Sequence, residues 1–244
     1  MTSDTEAARS FYAEVIGWDI RDSGMPDMSY SILYAGPDMV GGMMPIPEEA
    51  YAMGARPGWL GYIGVDDVDA CAAQITELGG KIHRAPEDIP EIGRFAVVAD
   101  LHGAPFVLFR PMGEATDTRM QPGKAGHVGW HELHAGDGPQ AFGFYSTLFG
   151  WRRGEALDMG PMGVYQLFET RGAAIGAMMT KTAEIPMPFW LFYFNVDGLD
   201  AAIERAGHSG GQVIMGPHEV PGGSWIAHCL DPQGAIFAMV AAQR

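Results

Sequence analysis

The stretch Asp100-Leu101-His102-Gly103-Ala104-Pro105-Phe106 returns later in the chain as Asp231-Pro232-Gln233-Gly234-Ala235-Ile236-Phe237. The match extends through the whole of residues 57–109, which recur from residue 188 onward at one constant spacing, 131 positions, as from Trp59 to Trp190. A repeat this long predicts a duplicated domain, because the repeats of a solenoid are about 20 to 50 residues long.

The upstream parts of the two copies also match. Phe11-Tyr12 followed by Gly17-Trp18 returns as Phe144-Tyr145 followed by Gly150-Trp151. In the first copy, Ser3 with Glu6 three residues later predicts a capping box for a helix that ends at Gly17. In the second copy the corresponding helix is predicted to start at Asp137 and to end at Gly150. Each copy then reads twice as strand, helix and three strands, which predicts an α+β fold.

We predict a first domain over residues 1–110, a linker over 111–126 and a second domain over 127–244. The two copies differ at their starts. In the second, the opening helix follows an apparent strand, Val128–His134, whereas the first copy begins at Met1, where that strand should end. The first domain is therefore expected to lack its leading strand, either because the start is placed late or because a partner fills the position.

The composition excludes two classes of partner. The net charge of −15 argues against nucleic acid and anionic membrane, both of which need a basic surface. The acidity serves solubility or suits a cationic ligand. Cys71 and Cys229 occupy non-equivalent positions, so no disulfide framework is predicted, and reduced thiols fit a cytoplasmic protein. The polar start is not typical of a signal peptide, and no apolar run approaches about 18 residues.

The paired strand-helix-three-strand halves, the helix ending in Phe-Tyr and Gly-Trp, and the closing Asp-Pro-x-Gly turn resemble the vicinal oxygen chelate superfamily. This superfamily includes glyoxalase I, bleomycin-resistance proteins, fosfomycin-resistance enzymes and extradiol dioxygenases, and the chain looks most like its tandem-domain, glyoxalase-like bacterial members. The resemblance implies that each domain pairs two βαβββ modules in a curled mixed sheet, which forms a cup for a small molecule. Since one fold hosts many reactions, function has to be argued from the site.

In metal-dependent members of the family, His, Gln or Glu ligands face the cup from four positions. The resemblance places these positions in the second domain at Trp130, Gly176, Leu191 and Ala238, and in the first at Gly41, Leu60 and Val107. None of these side chains can bind a metal ion. We therefore predict no cofactor and no metal ligands, and a divalent metal in a rearranged site is the alternative.

The second copy contains a polar cluster in Trp130-His131-Glu132-Leu133-His134. Strand alternation puts Trp130, Glu132 and His134 on one face, and the family resemblance assigns that face to the cup. Glu132 and His134 are the candidate catalytic residues, with Glu132 as a general base or as a ligand for a cation. The simpler alternative is that both side chains meet solvent or a neighbouring backbone at the strand end.

The candidate ligand-binding residues are the aromatic, apolar and imidazole side chains expected in the second cup. Such side chains suit flat organic ligands, although they also serve as plain core. His228 corresponds to Val97 in the first copy and reads equally as a hydrogen-bonded core histidine. The set is Trp130, Tyr165, Leu191, Tyr193, Trp225 and His228.

Three hypotheses of function follow. The first is a binding protein of the glyoxalase/bleomycin-resistance kind, which holds a small aromatic or cationic molecule without the usual metal ligands. The second is a glyoxalase-type lyase or isomerase with a rearranged metal site or a metal-free acid–base pair. The third is an interaction protein with degenerate cups. Which cup is functional, and whether the chain is a monomer or a homodimer, are left open.

Overall fold

A computed structural model describes residues 1–25, 28–113, 121 and 123–244 of the chain. The helices in this part of the chain are α1 (Thr5–Ile16), α2 (Glu48–Ala52), α3 (Val68–Glu77), α4 (Gly138–Phe149) and α5 (Leu199–His208), with a 3-10 turn at Gly160–Met162. Within the same ranges, no helix is both long enough and apolar enough to cross a membrane.

The strands follow in the order that the repeat predicts. Those of the first copy are β1 (Asp19–Asp22), β2 (Ser31–Ala35), β3 (Asp38–Met43), β4 (Tyr62–Gly64), β5 (Lys81–Ile89), β6 (Gly93–Ala99) and β7 (Pro105–Pro111). Those of the second copy are β8 (Val128–Ala135), β9 (Arg152–Asp158), β10 (Val164–Thr170), β11 (Ala173–Thr180), β12 (Phe189–Asn195), β13 (Gln212–Glu219), β14 (Trp225–Leu230) and β15 (Ile236–Ala241).

The described strands form three sheets. Their orders are β1-β2-β3, β4-β7-β6-β5 and β13-β14-β15-β12-β8-β11-β10-β9. The first and last strands of a module run parallel, as in β4 with β7, β8 with β11 and β12 with β15. Neighbouring strands joined by a hairpin, such as β5 with β6 and β10 with β11, are antiparallel. This is the pattern of βαβββ modules, and the predicted α+β fold is confirmed.

The first module starts differently from the others. In its described part, Thr2 forms an isolated parallel bridge with Pro45, and α1 follows at once. The absence of a leading strand in the first domain stays a prediction.

The helix ends show where local sequence signals succeed and fail. Asp137 caps α4 by accepting a hydrogen bond from the backbone N–H of Gln140 at 2.8 Å, as predicted. The Ser3 cap predicted for α1 is wrong, because Asp4 takes the extended cap conformation and its carboxylate accepts from the N–H of Ala7 at 3.0 Å. Gly17 and Gly150 end the two helices in the left-handed conformation, with φ of 86° and 67°.

The chain divides into two compact units that do not follow sequence order. Unit 1 consists of Met1–Trp59, Met120–Trp130 and Phe192–Arg244, and unit 2 of Leu60–Arg119 and His131–Leu191. Each unit therefore combines one half of each sequence copy. The domain boundaries at 1–110 and 127–244 stay a prediction. Of the predicted linker, residues 114–120 and 122 lie outside the described residues.

A buried polar chain joins the two copies within unit 1. The hydroxyl of Tyr12, on α1, donates to Oδ2 of Asp231 at 3.0 Å and accepts a hydrogen bond from Nε1 of Trp59 at 3.0 Å. The other carboxylate oxygen of Asp231 accepts from the backbone N–H groups of Gln233 and Ala235, which closes the repeated turn. Burial raises the pKa of Tyr12 well above its usual value, so its hydroxyl stays a donor.

Unit 2 contains the same chain with the two copies exchanged. Tyr145, on α4, donates to Oδ2 of Asp100 at 3.3 Å and accepts from Nε1 of Trp190 at 3.1 Å. Oδ1 of Asp100 accepts from the backbone N–H groups of His102 and Ala104. Each repeated aspartate thus pairs with the repeated tyrosine of the other copy, and the duplication is built into the core of each unit.

Candidate functional site

The register of β8 against β11 fixes which side chains accompany Glu132 and His134. Ala177 lies beside Glu132 and Met179 beside His134, so the four side chains share one face. Gly176 instead lies beside His131, where a Cβ would collide with the backbone oxygen of His131 and the ring of Phe168. The ligand position that the family resemblance assigned to Gly176 is therefore on the opposite face from Glu132.

Tyr165 reaches Glu132 from β10. The pairing of β10 with β11 places Leu167 beside Ala177, and Tyr165, two residues earlier, projects from the same face. Its hydroxyl donates to Oε2 of Glu132 at 2.7 Å. This short bond to a carboxylate is of the strong, charge-assisted kind.

The other oxygen of the same carboxylate faces His134. Nε2 of His134 lies 2.7 Å from Oε1 of Glu132, although the angle departs from that of a regular hydrogen bond. Both residues are buried, with 6% of Glu132 and 9% of His134 exposed. We call Glu132, His134 and Tyr165, all in unit 2, the polar cluster.

His134 is held by a further ring. Phe189, at the start of β12, stacks on the imidazole with ring centroids 4.7 Å apart and planes 7° from parallel. Nδ1 of His134 is buried and has no hydrogen-bond partner among the described residues. Native proteins rarely leave such an atom unsatisfied.

Two further predicted residues meet in unit 1. The hydroxyl of Tyr193 and Nε2 of His228 are joined by a hydrogen bond of 2.7 Å. In the sheet, both residues lie opposite Ala238, which is fully buried. Ala238 is the position on the last strand that the family resemblance assigns to a metal ligand. It therefore supplies only a methyl group between the strands that carry Tyr193 and His228.

The remaining predicted residues are Trp225, Leu191 and Trp130. Trp225 alternates with His228 along β14, so it lies on the opposite face, where the guanidinium of Arg244 is 5.2 Å from its ring centroid. Leu191 is fully buried in unit 2, and Trp130 is partly buried in unit 1.

His131 points away from the polar cluster. Its Nδ1 is 2.7 Å from the backbone oxygen of Ile175 on the neighbouring strand. Burial lowers the pKa of His131 below its ordinary value, and the bond to Ile175 offsets part of this effect. The imidazole therefore favours its neutral form.

No three His, Cys, Asp or Glu side chains converge as metal ligands within the described ranges. Surface depressions of about 440 and 460 Å³ occur in unit 1, along α1 and beside α2, and none of the predicted site residues lines them. The polar cluster is accordingly the strongest concentration of buried chemistry among the predicted residues.

Sequence reasoning missed Phe189. The alternation of Phe189, Leu191 and Tyr193 along β12 carried the signal, because it puts Phe189 on the face of two predicted ligand-binding residues. The pairing of β12 with a strand about 60 residues earlier is what turns that alternation into a contact with His134, and no local pattern contains it.

Known proteins resemble the chain at two levels. Residues 1–108 and 124–239 match the family described as the Glyoxalase/Bleomycin resistance protein/Dioxygenase superfamily. The "Putative glyoxylase CFP32" of Mycobacterium tuberculosis is 31% identical over 98% of this chain and 91% of its own. The "Anthracycline biosynthesis protein DauV" of Streptomyces sp. strain C5 is 34% identical over 75% of this chain and 65% of its own.

Among solved structures, the Mn(II)-bound glyoxalase from Novosphingobium aromaticivorans superimposes with a TM-score of 0.64. The match covers 99% of this chain and 79% of that enzyme at 16% sequence identity. At this identity the likeness concerns the fold alone.

Proposed function

Because the chain belongs to the Glyoxalase/Bleomycin resistance protein/Dioxygenase superfamily, as its repeat predicts, we propose that it binds a small organic molecule at the polar cluster. The observation that carries the proposal is that a buried carboxylate, a buried imidazole and a partly buried phenol lie together on one sheet face. Apolar residues of similar volume often stabilise a fold as well as a buried ion pair does, so stability alone gives little reason for such a group. Recognition of a ligand gives a better reason to keep these polar groups together.

The chemistry of the cluster favours a planar, hydroxylated aromatic ligand. Glu132 and the oxygen of Tyr165 accept hydrogen bonds, and the surrounding Leu167, Ala177 and Phe189 are apolar. The relative named for anthracycline biosynthesis supports the same class. A cationic ligand is the competing choice, since it suits both Glu132 and the net charge of −15.

We extend the proposal to binding without the family's metal ligands. Trp130, Leu191 and Ala238 offer no lone pair that a divalent ion prefers, and Ala177, which lies on the Glu132 face in place of Gly176, offers none either. Elemental analysis of untagged protein tests this part. A stoichiometric divalent metal that survives dialysis would contradict it.

The second candidate is a glyoxalase-type lyase or isomerase. It is favoured by the relatives named as putative glyoxylases and by the Glu132–His134 pair, which has the composition of an acid–base pair. Turnover of a 2-oxoaldehyde adduct that Glu132→Gln abolishes would establish it. Turnover that is unchanged in Glu132→Gln would remove the proposed pair from the reaction.

Location and assembly belong to the same proposal. Cys71 and Cys229 are both free thiols, and burial raises the pKa of Cys229 to about 12 and of Cys71 to about 11, so neither is a reactive thiolate at neutral pH. Free, protonated thiols support a cytoplasmic protein. Light scattering decides between a monomer and a homodimer.

Thermal-shift measurements against matched panels of hydroxyaromatic, non-hydroxylated aromatic and cationic compounds test ligand binding. A ligand at a hundred times its Kd stabilises the folded state by about 2.7 kcal/mol. We expect hydroxyaromatic compounds to stabilise the wild-type protein and to lose most of that effect in Glu132→Gln. The matched control is His218→Gln, at an exposed position on β13. Stabilisation by no compound, or equal stabilisation of both variants, would contradict the proposal.

A further inference from the structure

We propose that His134 is the proton acceptor of the polar cluster and that the ligand presents to it a weakly acidic hydroxyl group, that of a phenol or an enol. This inference rests on the proposed function and assigns roles within the same site. It differs from the expectation drawn from the sequence, which made Glu132 the base.

The position of the hydrogen on His134 follows from its distance to Glu132. Nε2 of the imidazole lies 2.7 Å from Oε1 of the carboxylate. With Glu132 ionised, a ring nitrogen without hydrogen would bring its lone pair against a carboxylate oxygen at this distance, so we assign the hydrogen to Nε2. In the neutral imidazole the lone pair is then on Nδ1.

Neither ring nitrogen makes a regular hydrogen bond, but Nε2 is at ion-pair distance from the carboxylate of Glu132, which leaves Nδ1 as the nitrogen available to a ligand. It is buried, and no described residue donates to it or accepts from it. Phe189 covers one face of the ring, and Met179 lies beside His134 in the neighbouring strand. A ligand hydroxyl group that donates a hydrogen bond to this lone pair has to lie in the plane of the ring.

The same arrangement supports transfer of the proton. The O–H bond of the ligand breaks and an N–H bond forms at Nδ1, which leaves a ligand oxyanion and an imidazolium. The carboxylate of Glu132 stabilises that imidazolium from the Nε2 side. Tyr165 donates to the second oxygen of the carboxylate and so orients it. Glu132 and Tyr165 are thus positioning residues, and His134 contacts the ligand.

The charges around His134 agree with this assignment. The group that faces it from its own strand is the carboxylate of Glu132, whereas Phe189 and Met179 from the neighbouring strands are apolar.

The test uses 4-nitrophenol, whose phenol and phenolate forms have different absorption spectra. At one fixed pH well below the pKa of the free probe, where only a small fraction of it is ionised, we expect wild-type protein to increase the phenolate fraction several-fold. His134→Gln should bind the probe without increasing that fraction, and Glu132→Gln should give a smaller increase than wild type. His218→Gln, at an exposed histidine, should match wild type.

A second measurement does not depend on the folding of any variant. The ¹⁵N chemical shifts of the His134 ring in unliganded wild-type protein report its tautomer, and we expect hydrogen on Nε2. Hydrogen on Nδ1 overturns the inference. So does a bound probe whose phenolate fraction stays at that of free solution, or a probe that fails to bind while cationic compounds stabilise the protein. These three results leave the proposed function intact, whereas failure of every compound overturns both.

Discussion

One carboxylate oxygen of Glu132 accepts a hydrogen bond from Tyr165, and the other lies beside the imidazole of His134. The contribution of Tyr165 to stability can therefore be measured. Removing the hydroxyl group in Tyr165→Phe takes away a donor to a buried carboxylate. A hydrogen bond to a charged group contributes about 1.5 to 3 kcal/mol. Because Tyr165 is only partly buried, we expect the free energy of unfolding in urea to fall by about 1 to 2 kcal/mol. Tyr51→Phe, at an exposed tyrosine, should change it by less than about 0.5 kcal/mol. Equal effects would contradict the account of the cluster.

His131 predicts a pH dependence of stability. Its pKa in the folded protein lies below the ordinary value of 6.5, so the unfolded chain binds the proton more tightly. The contribution of neutral His131 to the free energy of unfolding is complete above pH 6.5. It declines as the pH falls below that value toward the lowered pKa of the folded protein. Urea unfolding at several pH values between 5 and 8 should show this decline, and His131→Asn should reduce it. The same slope in both proteins would show that His131 is not the group responsible.

The sequence predicts some residues of the polar cluster and their shared face, but not the contacts that join different strands. Alternation sufficed to put Glu132 and His134 on one face, because both belong to one strand and the period of a strand is fixed. Tyr165 was also identified, but its bond to Glu132 depends on the register of β10 against β11. The contact of Phe189 depends on the pairing of two distant strands, and the tautomer of His134 depends on its side-chain distance to Glu132; a single sequence contains neither.

At the scale of the elements, the two Trp–Tyr–Asp chains fix each helix to a turn of the other sequence copy. In Tyr145→Phe, Asp100 loses its side-chain donor, and in Tyr12→Phe, Asp231 loses its own. An unsatisfied buried acceptor costs about 1 to 3 kcal/mol. We expect each variant to lower the free energy of unfolding by an amount in that range. Losses below about 0.5 kcal/mol in both variants would show that these chains are not structural.

The sequence predicts the repeated turn itself but not the tyrosine that binds to it. Asp100 and Asp231 mark the turn in the sequence, and each accepts two backbone N–H groups within it. Local spacing therefore predicts the turn. The tyrosine that donates a hydrogen bond to each aspartate lies in the other copy. Because it is distant along the chain, no local sequence pattern predicts the pairing. The cap of α1 at Asp4 was missed for a smaller reason, since Ser3 and Asp4 are both good cap residues.

At the scale of the whole molecule, each unit takes one half from each copy, so neither copy alone contains a complete unit. Fragments 1–113 and 123–244 produced separately should therefore lack a cooperative unfolding transition, because Tyr12 and Tyr145 would be without their aspartates. Mixing the two should restore the near-ultraviolet circular dichroism of the intact chain. Fragments that each unfold cooperatively at the Tm of the intact protein would contradict this organisation.

The duplication explains the fold better than the function. The copies share their turns, helix ends and buried tyrosines, whereas His228 replaces a valine, and the polar cluster draws its three residues from the second copy alone. The two copies therefore agree in the cores of the units and differ at the sheet faces.

The measurement that tests the central claim most directly is ¹⁵N NMR of histidine-labelled protein titrated with the compound that stabilises it most. Binding at the polar cluster predicts that the ring resonances of His134 move in proportion to occupancy. The resonances of His83 and His218, both exposed, should stay in place. Saturable binding that leaves His134 unmoved would contradict the account.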